Sequence, residues 1–120
     1  MPVLSISAAF EPNQLKAFKR TDAVMKLAFA NSNAEKAYWC ECDISVKSPL
    51  SLAPDKELGK GRAKVGIIMP GKSREKPIKL YTTPNNFAGD YDIKMTVYVY
   101  DEDGAIAERF EKVESIKCLD

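Results

Sequence analysis

Residues 89–104 constrain the fold most, because they alternate apolar and polar side chains through almost their whole length. One set of alternate positions would share the buried face of an extended strand: Tyr91, Ile93, Met95, Val97 and Val99. Acidic residues then favour a turn at residues 101–104, where Gly104 can adopt the positive φ of a tight hairpin. The sequence therefore predicts a half-buried antiparallel strand, with residues 106–118 folding back beside it.

Similar alternation recurs along the chain and predicts further strands. The predicted core positions are Leu4, Ile6, Ala8 and Phe10, then Met25, Leu27 and Phe29, then Tyr38, Cys40, Cys42, Ile44 and Val46, then Ala63, Val65, Ile67 and Met69, and then Ile78 and Leu80. The last strand carries Phe110, Val113, Ile116 and Cys118, whose change of phase predicts a bulge near Glu111 and Lys112. Residues 48–54 are bracketed by prolines and predict a short edge strand or an extended crossing, whereas residues 13–20 predict a loop or a single helical turn.

These segments predict an all-β fold, an antiparallel β-sandwich of about seven to eight strands. The 120 residues fit one domain, residues 1–120, and a composition of 45% hydrophobic and 29% charged residues is that of a soluble globular protein. The net charge of +1 implies neither a strongly anionic partner nor a membrane surface. No secretory signal or long apolar segment is visible, so we expect a cytoplasmic location and no membrane partner.

The residue types present argue against catalysis and against metal binding. The chain has no histidine, which is the commonest general base and a common metal ligand, so we expect no enzyme activity and no cofactor. Cys40, Cys42 and Cys118 are too few for a four-ligand zinc site, and we expect buried, reduced thiols; a disulfide from Cys118 to Cys40 or Cys42 stays open at this point. Residues 101–104 lack the spaced ligands of a calcium loop and are better explained by turn chemistry.

Three segments resemble the immunoglobulin-like β-sandwich domains of prokaryotic and archaeal proteins, of the adhesion-module type. They are LAFAN at residues 27–31, VGIIMPG at 65–71, and GDYDI at 89–93 followed by a strand and an Asp-Gly turn. The resemblance implies an immunoglobulin-like sandwich and places Tyr91 where a tyrosine hydroxyl hydrogen-bonds back to the preceding corner. A plain core aromatic is the alternative role for Tyr91. The chain lacks the cysteine pair around a buried tryptophan of antibody domains, and fold alone does not transmit function.

The sequence favours a non-catalytic module that binds another protein, or a second copy of itself as a homodimer, through an exposed sheet face or edge. The candidate partner-binding residues are Trp39, Tyr98 and Tyr100, which the alternation places on outer sheet faces. Cross-strand packing on a bare sheet is the other role that such aromatics can have. If their two strands are neighbours in one sheet, the three side chains would form a continuous patch.

The alternative function is binding of a small anionic ligand or nucleic acid through the basic region at residues 56–76. Its candidate residues are Lys60, Arg62, Lys64, Lys72 and Arg74. No aromatic residue is interleaved among these cations, which argues against nucleic acid as a partner. A charged sheet edge that discourages aggregation explains the same residues.

Overall fold

The computed structural model describes residues 4–18, 21–47, 49–54, 56, 58–82 and 87–119. Within these residues the chain is all-β and contains no helix, so none is long and apolar enough to cross a membrane. The described residues form nine strands: β1 (Leu4–Glu11), β2 (Gln14–Lys16), β3 (Asp22–Asn31), β4 (Tyr38–Val46), β5 (Leu50–Ser51), β6 (Lys60–Ile68), β7 (Ser73–Thr82), β8 (Gly89–Tyr100) and β9 (Ile106–Leu119). The predicted all-β sandwich class is thus confirmed.

The strands form two sheets that enclose one hydrophobic core. Sheet A has the order β1-β3-β7-β5, and sheet B has the order β2-β9-β8-β4-β6. After β1 the chain passes a cis Glu11–Pro12 bond and changes sheet, so that β2 pairs parallel to β9. This short strand corrects the prediction of a loop or turn at residues 13–20, which periodicity misses because three paired residues are too few to show a pattern.

The long strand β8 is organised as its alternation predicts. Ile93, Met95 and Val97 are buried, whereas Lys94 is exposed and Thr96 half-buried. β8 pairs with β4 on one side and β9 on the other, which places it at the centre of sheet B. Its inner face therefore contributes to the core along most of its length.

We expect Val97→Ala to lower the free energy of unfolding by about 2 kcal/mol, because the lost methyl groups leave a cavity in a closely packed core. Lys94→Ala on the same strand should change it by less than about 0.5 kcal/mol, since its side chain faces solvent. Urea denaturation midpoints measure both. Equal shifts for the two variants would contradict the facing of this strand.

The three thiols lie in the core, as the sequence predicts, but at opposite ends of sheet B. All three are buried and outside any disulfide. Cys42 pairs across the strands with Val97 on β8, and Cys118 pairs with Gly89. These partners lie eight residues apart along β8, or roughly 27 Å at about 3.4 Å per residue. A disulfide requires Cα atoms within about 7 Å, so the fold excludes the bridge that the sequence left open.

A bulge in β6 corrects the predicted facing of its second half. Cys40 on β4 pairs with Gly66 and the next residue, Glu41, pairs with Lys64, so one extra residue of β6 is accommodated at this point. Beyond the bulge the buried side chain is Ile68, while Ile67 is 57% and Met69 56% exposed. Ile67 and Met69 are therefore not core residues, because the bulge reverses the phase of the alternation.

The backbone conformation at the bulge favours glycine, and the neighbouring Arg74 adds a smaller steric constraint. Gly66 has φ +99°, a conformation that L side chains rarely adopt, and a Cβ there would lie 3.1 Å from the guanidinium of Arg74. Arg74 extends from β7 of sheet A and donates a hydrogen bond from Nη1 to the carbonyl oxygen of Ile67, at 3.1 Å. The bulge is thus one of the points at which the two sheets are tied together.

Strand β9 also differs from its prediction. Its register against β8 is unbroken from Cys118 to Glu108, so there is no bulge near Glu111 and Lys112; the irregularity lies opposite Val99 and Tyr100. Val113 is 56% exposed. The inward positions are instead Lys112 and Glu114, which are half-buried and form an ion pair at 3.3 Å. The apolar residues at positions 110, 113 and 116 suggested a phase change that the backbone does not make.

The corners confirm the predicted turn chemistry. Gly104 has φ +83° and its N–H donates to the carbonyl of Asp101, whose carboxylate accepts the N–H groups of Asp103 and Ala105 at 3.0 Å. Tyr91 is half-buried, and its hydroxyl is hydrogen-bonded to the backbone of Phe87. Tyr91 therefore makes the corner bond that the immunoglobulin-like resemblance implies.

Candidate functional site

The outer face of sheet B, the side directed away from sheet A, carries the predicted partner-binding residues on neighbouring strands. Trp39 on β4 pairs directly with Tyr100 on β8, and Glu41 pairs with Tyr98. Trp39 is 40% exposed, while Tyr98 and Tyr100 are half-buried. The structure thus brings the three aromatic side chains together in two adjacent rows across the sheet.

One complete row of four apolar side chains crosses this face near its end. Tyr100 pairs with Ile106 on β9, and Trp39 pairs with Ile67 on β6. We call these four residues the Trp39 row: Ile106, Tyr100, Trp39 and Ile67. The Trp39 and Tyr100 rings lie 5.4 Å apart between centroids and are tilted by 37°. Ile106 and Ile67 at the two ends are 59% and 57% exposed.

In the adjacent row across the sheet, charged side chains surround the ring of Tyr98. The guanidinium carbons of Arg62 and Arg109 each lie 5.8 Å from the centre of the Tyr98 ring, within the range of a cation–π interaction. Glu41 lies beside Tyr98 in the sheet and is buried, with Arg62 Nη1 3.6 Å from its carboxylate. Glu41 is therefore not a solvated surface carboxylate, although its outward position in β4 would suggest one, because Tyr98 and Arg62 lie against it.

Arg62 is also tied to Asp43 by two hydrogen bonds, of 2.6 Å from Nε and 3.2 Å from Nη2. The hydrogen bond from Arg62 lowers the pKa of the Asp43 carboxyl, and the same bond raises the pKa of Arg62. Arg62 thus holds Asp43 and Glu41 while lying against Tyr98. This arrangement fixes the orientation of the side chains next to the Trp39 row.

A cleft of about 450 Å³ opens beside the Trp39 row. Its lining residues are Ala37, Tyr38, Trp39, Ile67, Asp101, Glu102 and Gly104. Most of this lining is apolar, and its ionisable carboxyl groups belong to the turn after β8. Glu102 contacts the far side of the cleft, where its Oε1 lies 3.4 Å from the backbone nitrogen of Ala37. We refer to this feature as the Trp39 cleft.

A second, wider depression of about 840 Å³ lies further along the same face. Polar and charged side chains dominate its walls, among them Ser45, Lys60, Lys94, Thr96 and Glu111. It has carboxylates as well as ammonium groups, so its charge is mixed. In this respect it differs from the Trp39 cleft.

The candidate anion-binding residues are divided between the two sheets. Lys60, Arg62 and Lys64 lie on the outward side of β6 in sheet B. Arg74 lies on β7 of sheet A, and Lys72 immediately precedes that strand. Arg62 is engaged with carboxylates and Arg74 with the Ile67 carbonyl. Binding of an anion or nucleic acid by these residues stays a prediction.

Sequence reasoning missed two residues of the Trp39 row. Ile67 was assigned to the core because it continues the alternation of Ala63 and Val65, and the bulge that turns it outward is signalled only by Gly66 within a strand pattern. Ile106 was treated only as the start of the returning strand. Its pairing with Tyr100 depends on the irregularity in β9, which single-strand periodicity does not show.

The fold resembles those of several solved structures. No protein-family model matches the chain, and no curated protein matches it. BslA, described as a bacterial hydrophobin, is 11% identical with a TM-score of 0.55, over 98% of this chain and 94% of that one. A Bordetella pertussis protein assigned as ApaA is 13% identical with a TM-score of 0.57, over 94% and 89%. A protein assigned to the late embryogenesis abundant class is 11% identical with a TM-score of 0.52, over 98% and 72%. At these identities the likeness shows the fold alone.

Proposed function

We propose that this protein is a non-catalytic interaction module that binds a protein partner through the outer face of sheet B. The Trp39 row is the observation that carries the proposal. Its end residues are more than half exposed, and four apolar side chains lie next to one another across four strands. Contiguous exposed apolar surface with a tryptophan near its centre is typical of protein-binding sites.

The row is also held in place before any partner binds. β4 and β8 are interior strands of sheet B, and the rings of Trp39 and Tyr100 pack against each other. Arg62 and Arg109 flank Tyr98 in the adjacent row. Side chains that are already fixed lose little conformational entropy on binding, so more of the contact energy contributes to affinity.

The Trp39 cleft indicates the chemistry of the partner. Its apolar walls suit an aliphatic side chain, and Asp101 and Glu102 give its rim negative charge. Asp103 is exposed next to them. A segment with an aliphatic residue beside a lysine or arginine matches both properties, because the cation would meet the carboxylates while the aliphatic group enters the cleft.

Two other features support a non-catalytic role inside a cell. The chain has no histidine, and its three cysteines are buried outside any disulfide, as suits a reducing cytoplasmic compartment.

A randomised displayed peptide library, selected against the immobilised protein, tests the proposal. We expect the selected peptides to share an aliphatic residue next to Lys or Arg, and synthetic versions of them to bind the parent protein. Trp39→Ser and Ile67→Ser should each weaken that binding about tenfold or more, because they remove central apolar contacts. Glu102→Gln should reduce the preference for the basic residue and the dependence of binding on salt.

Val113→Ser is the matched control. Val113 lies on the same face and is 56% exposed, nearly as exposed as Ile67, but it pairs with Lys94, six residues from Tyr100 along β8. Its replacement should leave peptide binding unchanged. The proposal is wrong if selection yields no consensus, or if Val113→Ser weakens binding as much as Ile67→Ser in variants with parent-like denaturation midpoints.

A further inference from the structure

Strand β1 is the long edge strand of sheet A. It pairs with β3 along its whole length, from Leu4 opposite Asn31 to Glu11 opposite Val24. Within the described ranges no strand is hydrogen-bonded to its other side. Alternate backbone N–H and C=O groups of an edge strand point away from the sheet, where they form a template for another strand.

The other long edges carry the devices that prevent strand addition. β6 presents Lys60, Arg62 and Lys64 and is bulged at Gly66. β7 extends well beyond its two pairs with β5, but that stretch contains Pro77 and several charges. β9 extends beyond its three pairs with β2, and that stretch contains five charged residues between positions 108 and 114. Charges and proline on an edge discourage pairing with another chain.

β1 has none of these devices over residues 4–10, which read LSISAAF without a charge or a proline. Its outward side chains are the small residues Ser5, Ser7 and Ala9, all exposed. Its inward side chains Ile6 and Phe10 are only half-buried although they pack against the core. An added strand would cover backbone groups and these apolar side chains together.

We propose that the partner at this edge is the β1 strand of a second copy, paired antiparallel about a two-fold axis at Ser7. In this register Leu4 lies opposite Phe10 of the second copy and Ile6 lies opposite Ala8, so inward side chains meet inward side chains. Ser5 lies opposite Ala9 on the outer face. No like charges meet between residues 4 and 10, which is the condition that homotypic pairing must satisfy.

The pairing joins two copies of sheet A into one continuous sheet of eight strands. The Trp39 row lies on the outer face of sheet B, so it stays exposed on both copies. Self-association at β1 and partner binding at the Trp39 row are therefore separate properties. A dimer would present two Trp39 rows, which increases the apparent affinity for a partner with repeated segments.

Opposite charges placed at the two-fold axis test the pairing. Ser7→Lys alone and Ser7→Glu alone should each weaken self-association about tenfold or more, because two like charges meet across the axis. An equal mixture of the two variants should restore a dimer, since each Lys then lies opposite a Glu. Sedimentation velocity over a concentration series measures the mass of the parent, each variant and the mixture.

The matched control is Ser73→Lys. Ser73 lies in the same row across sheet A as Ser5, two strands from the edge, and its side chain is exposed on the outer face. This variant should dimerise like the parent. A second test of register uses Ser5 and Ala9 in one chain: Ser5→Lys with Ala9→Glu should retain the dimer, and Ser5→Lys with Ala9→Lys should lose it.

Several results would overturn the β1 pairing. They are a parent that stays monomeric throughout the series, a Ser7→Lys and Ser7→Glu mixture that remains monomeric, and a Ser73→Lys variant that dissociates the dimer. Trp39→Ser serves as the cross-check on the proposed function. If it dissociates the dimer while the Ser7 variants do not, self-association occurs at the outer face of sheet B instead.

Discussion

Replacement of Asn31 by alanine should destabilise the protein by about 3 kcal/mol, the largest effect that we expect from a single polar side chain. Asn31 is 3% exposed, and its Nδ2 lies 2.8, 3.1 and 3.3 Å from the carbonyl oxygens of Lys36, Ile68 and Met69. Its Oδ1 accepts the N–H of Asn33. Alanine would leave these backbone groups without their partner, and each buried unsatisfied group costs about 1 to 3 kcal/mol.

Asn33→Ala is the control, since the Asn33 side chain makes two hydrogen bonds to nearby backbone in a more exposed setting. Its Oδ1 accepts the N–H groups of Glu35 and Lys36, at 2.7 and 2.8 Å. Water can replace it there, so its removal should cost about 1 kcal/mol or less.

Asn31→Asp keeps the shape but places a carboxylate against carbonyl oxygens, and should destabilise at least as much as Asn31→Ala at neutral pH. Urea denaturation of the parent and the three variants measures these changes in stability. An Asn31→Ala midpoint at or above that of Asn33→Ala would refute the stabilising role of Asn31.

The role of Asn31 illustrates which parts of the fold the sequence predicts. Its position at the end of an alternating strand is typical of a residue that starts a turn, and its side chain does accept the N–H of Asn33 there. Its side chain also joins the nearby loop at Lys36 to the end of β6 at Ile68, which is 37 residues away in sequence. Local pattern contains no information on that second contact. Strand β8 is the opposite case, because strict alternation from Ile93 to Val97 fixes its facing without knowledge of its neighbours.

The errors on β6 and β9 share a physical cause. Periodicity is a good guide only while the backbone keeps a two-residue repeat, and one bulge at Gly66 exchanges the faces of all later residues in the strand. On β9 the repeat holds, but Lys112 and Glu114 occupy inward positions. They can do so because β9 is the outermost strand of sheet B beyond its three pairs with β2, so this stretch lies at the solvent-exposed edge of the sheet.

The candidate site was predictable in part for the same reasons. The outward facing of Trp39, Tyr98 and Tyr100 follows from alternation, and their proximity follows from pairing of β4 with β8, which the immunoglobulin-like resemblance implies. Ile67 and Ile106 each follow an irregularity, so their membership of the Trp39 row depends on the three-dimensional register. The charge of the cleft likewise depends on where the turn at Asp101 folds over the sheet.

Cys40 and Cys42 should be almost inert to thiol reagents in the native protein and react rapidly once it unfolds. Both side chains are fully buried on the inner face of β4, and burial raises the pKa of each thiol from 9.0 to about 12. The neighbouring charges of Cys42 and Glu41 raise the pKa of Cys40 further, and the charge of Asp43 raises the pKa of Cys42 further. The thiolate is the reactive form, so a shift of this size lowers its native population about a thousandfold near pH 8, before the steric barrier is counted.

The same pKa shifts make stability depend on pH in a defined direction. The unfolded chain releases the thiol protons near pH 9, whereas the folded protein retains them to about pH 12. The contribution of these thiols to the free energy of unfolding is therefore complete below pH 9 and is lost as the pH rises towards 12, because only the unfolded state gains from ionisation in that interval.

A Cys40→Ala, Cys42→Ala double variant removes this dependence while the lysines and tyrosines titrate as in the parent. The difference in free energy of unfolding between parent and variant should then decline steadily above pH 9. Rapid labelling of the native parent by iodoacetamide at pH 8, or a difference that does not change with pH, would show that the thiols reach solvent and that the core at β4 is more open than the structure describes.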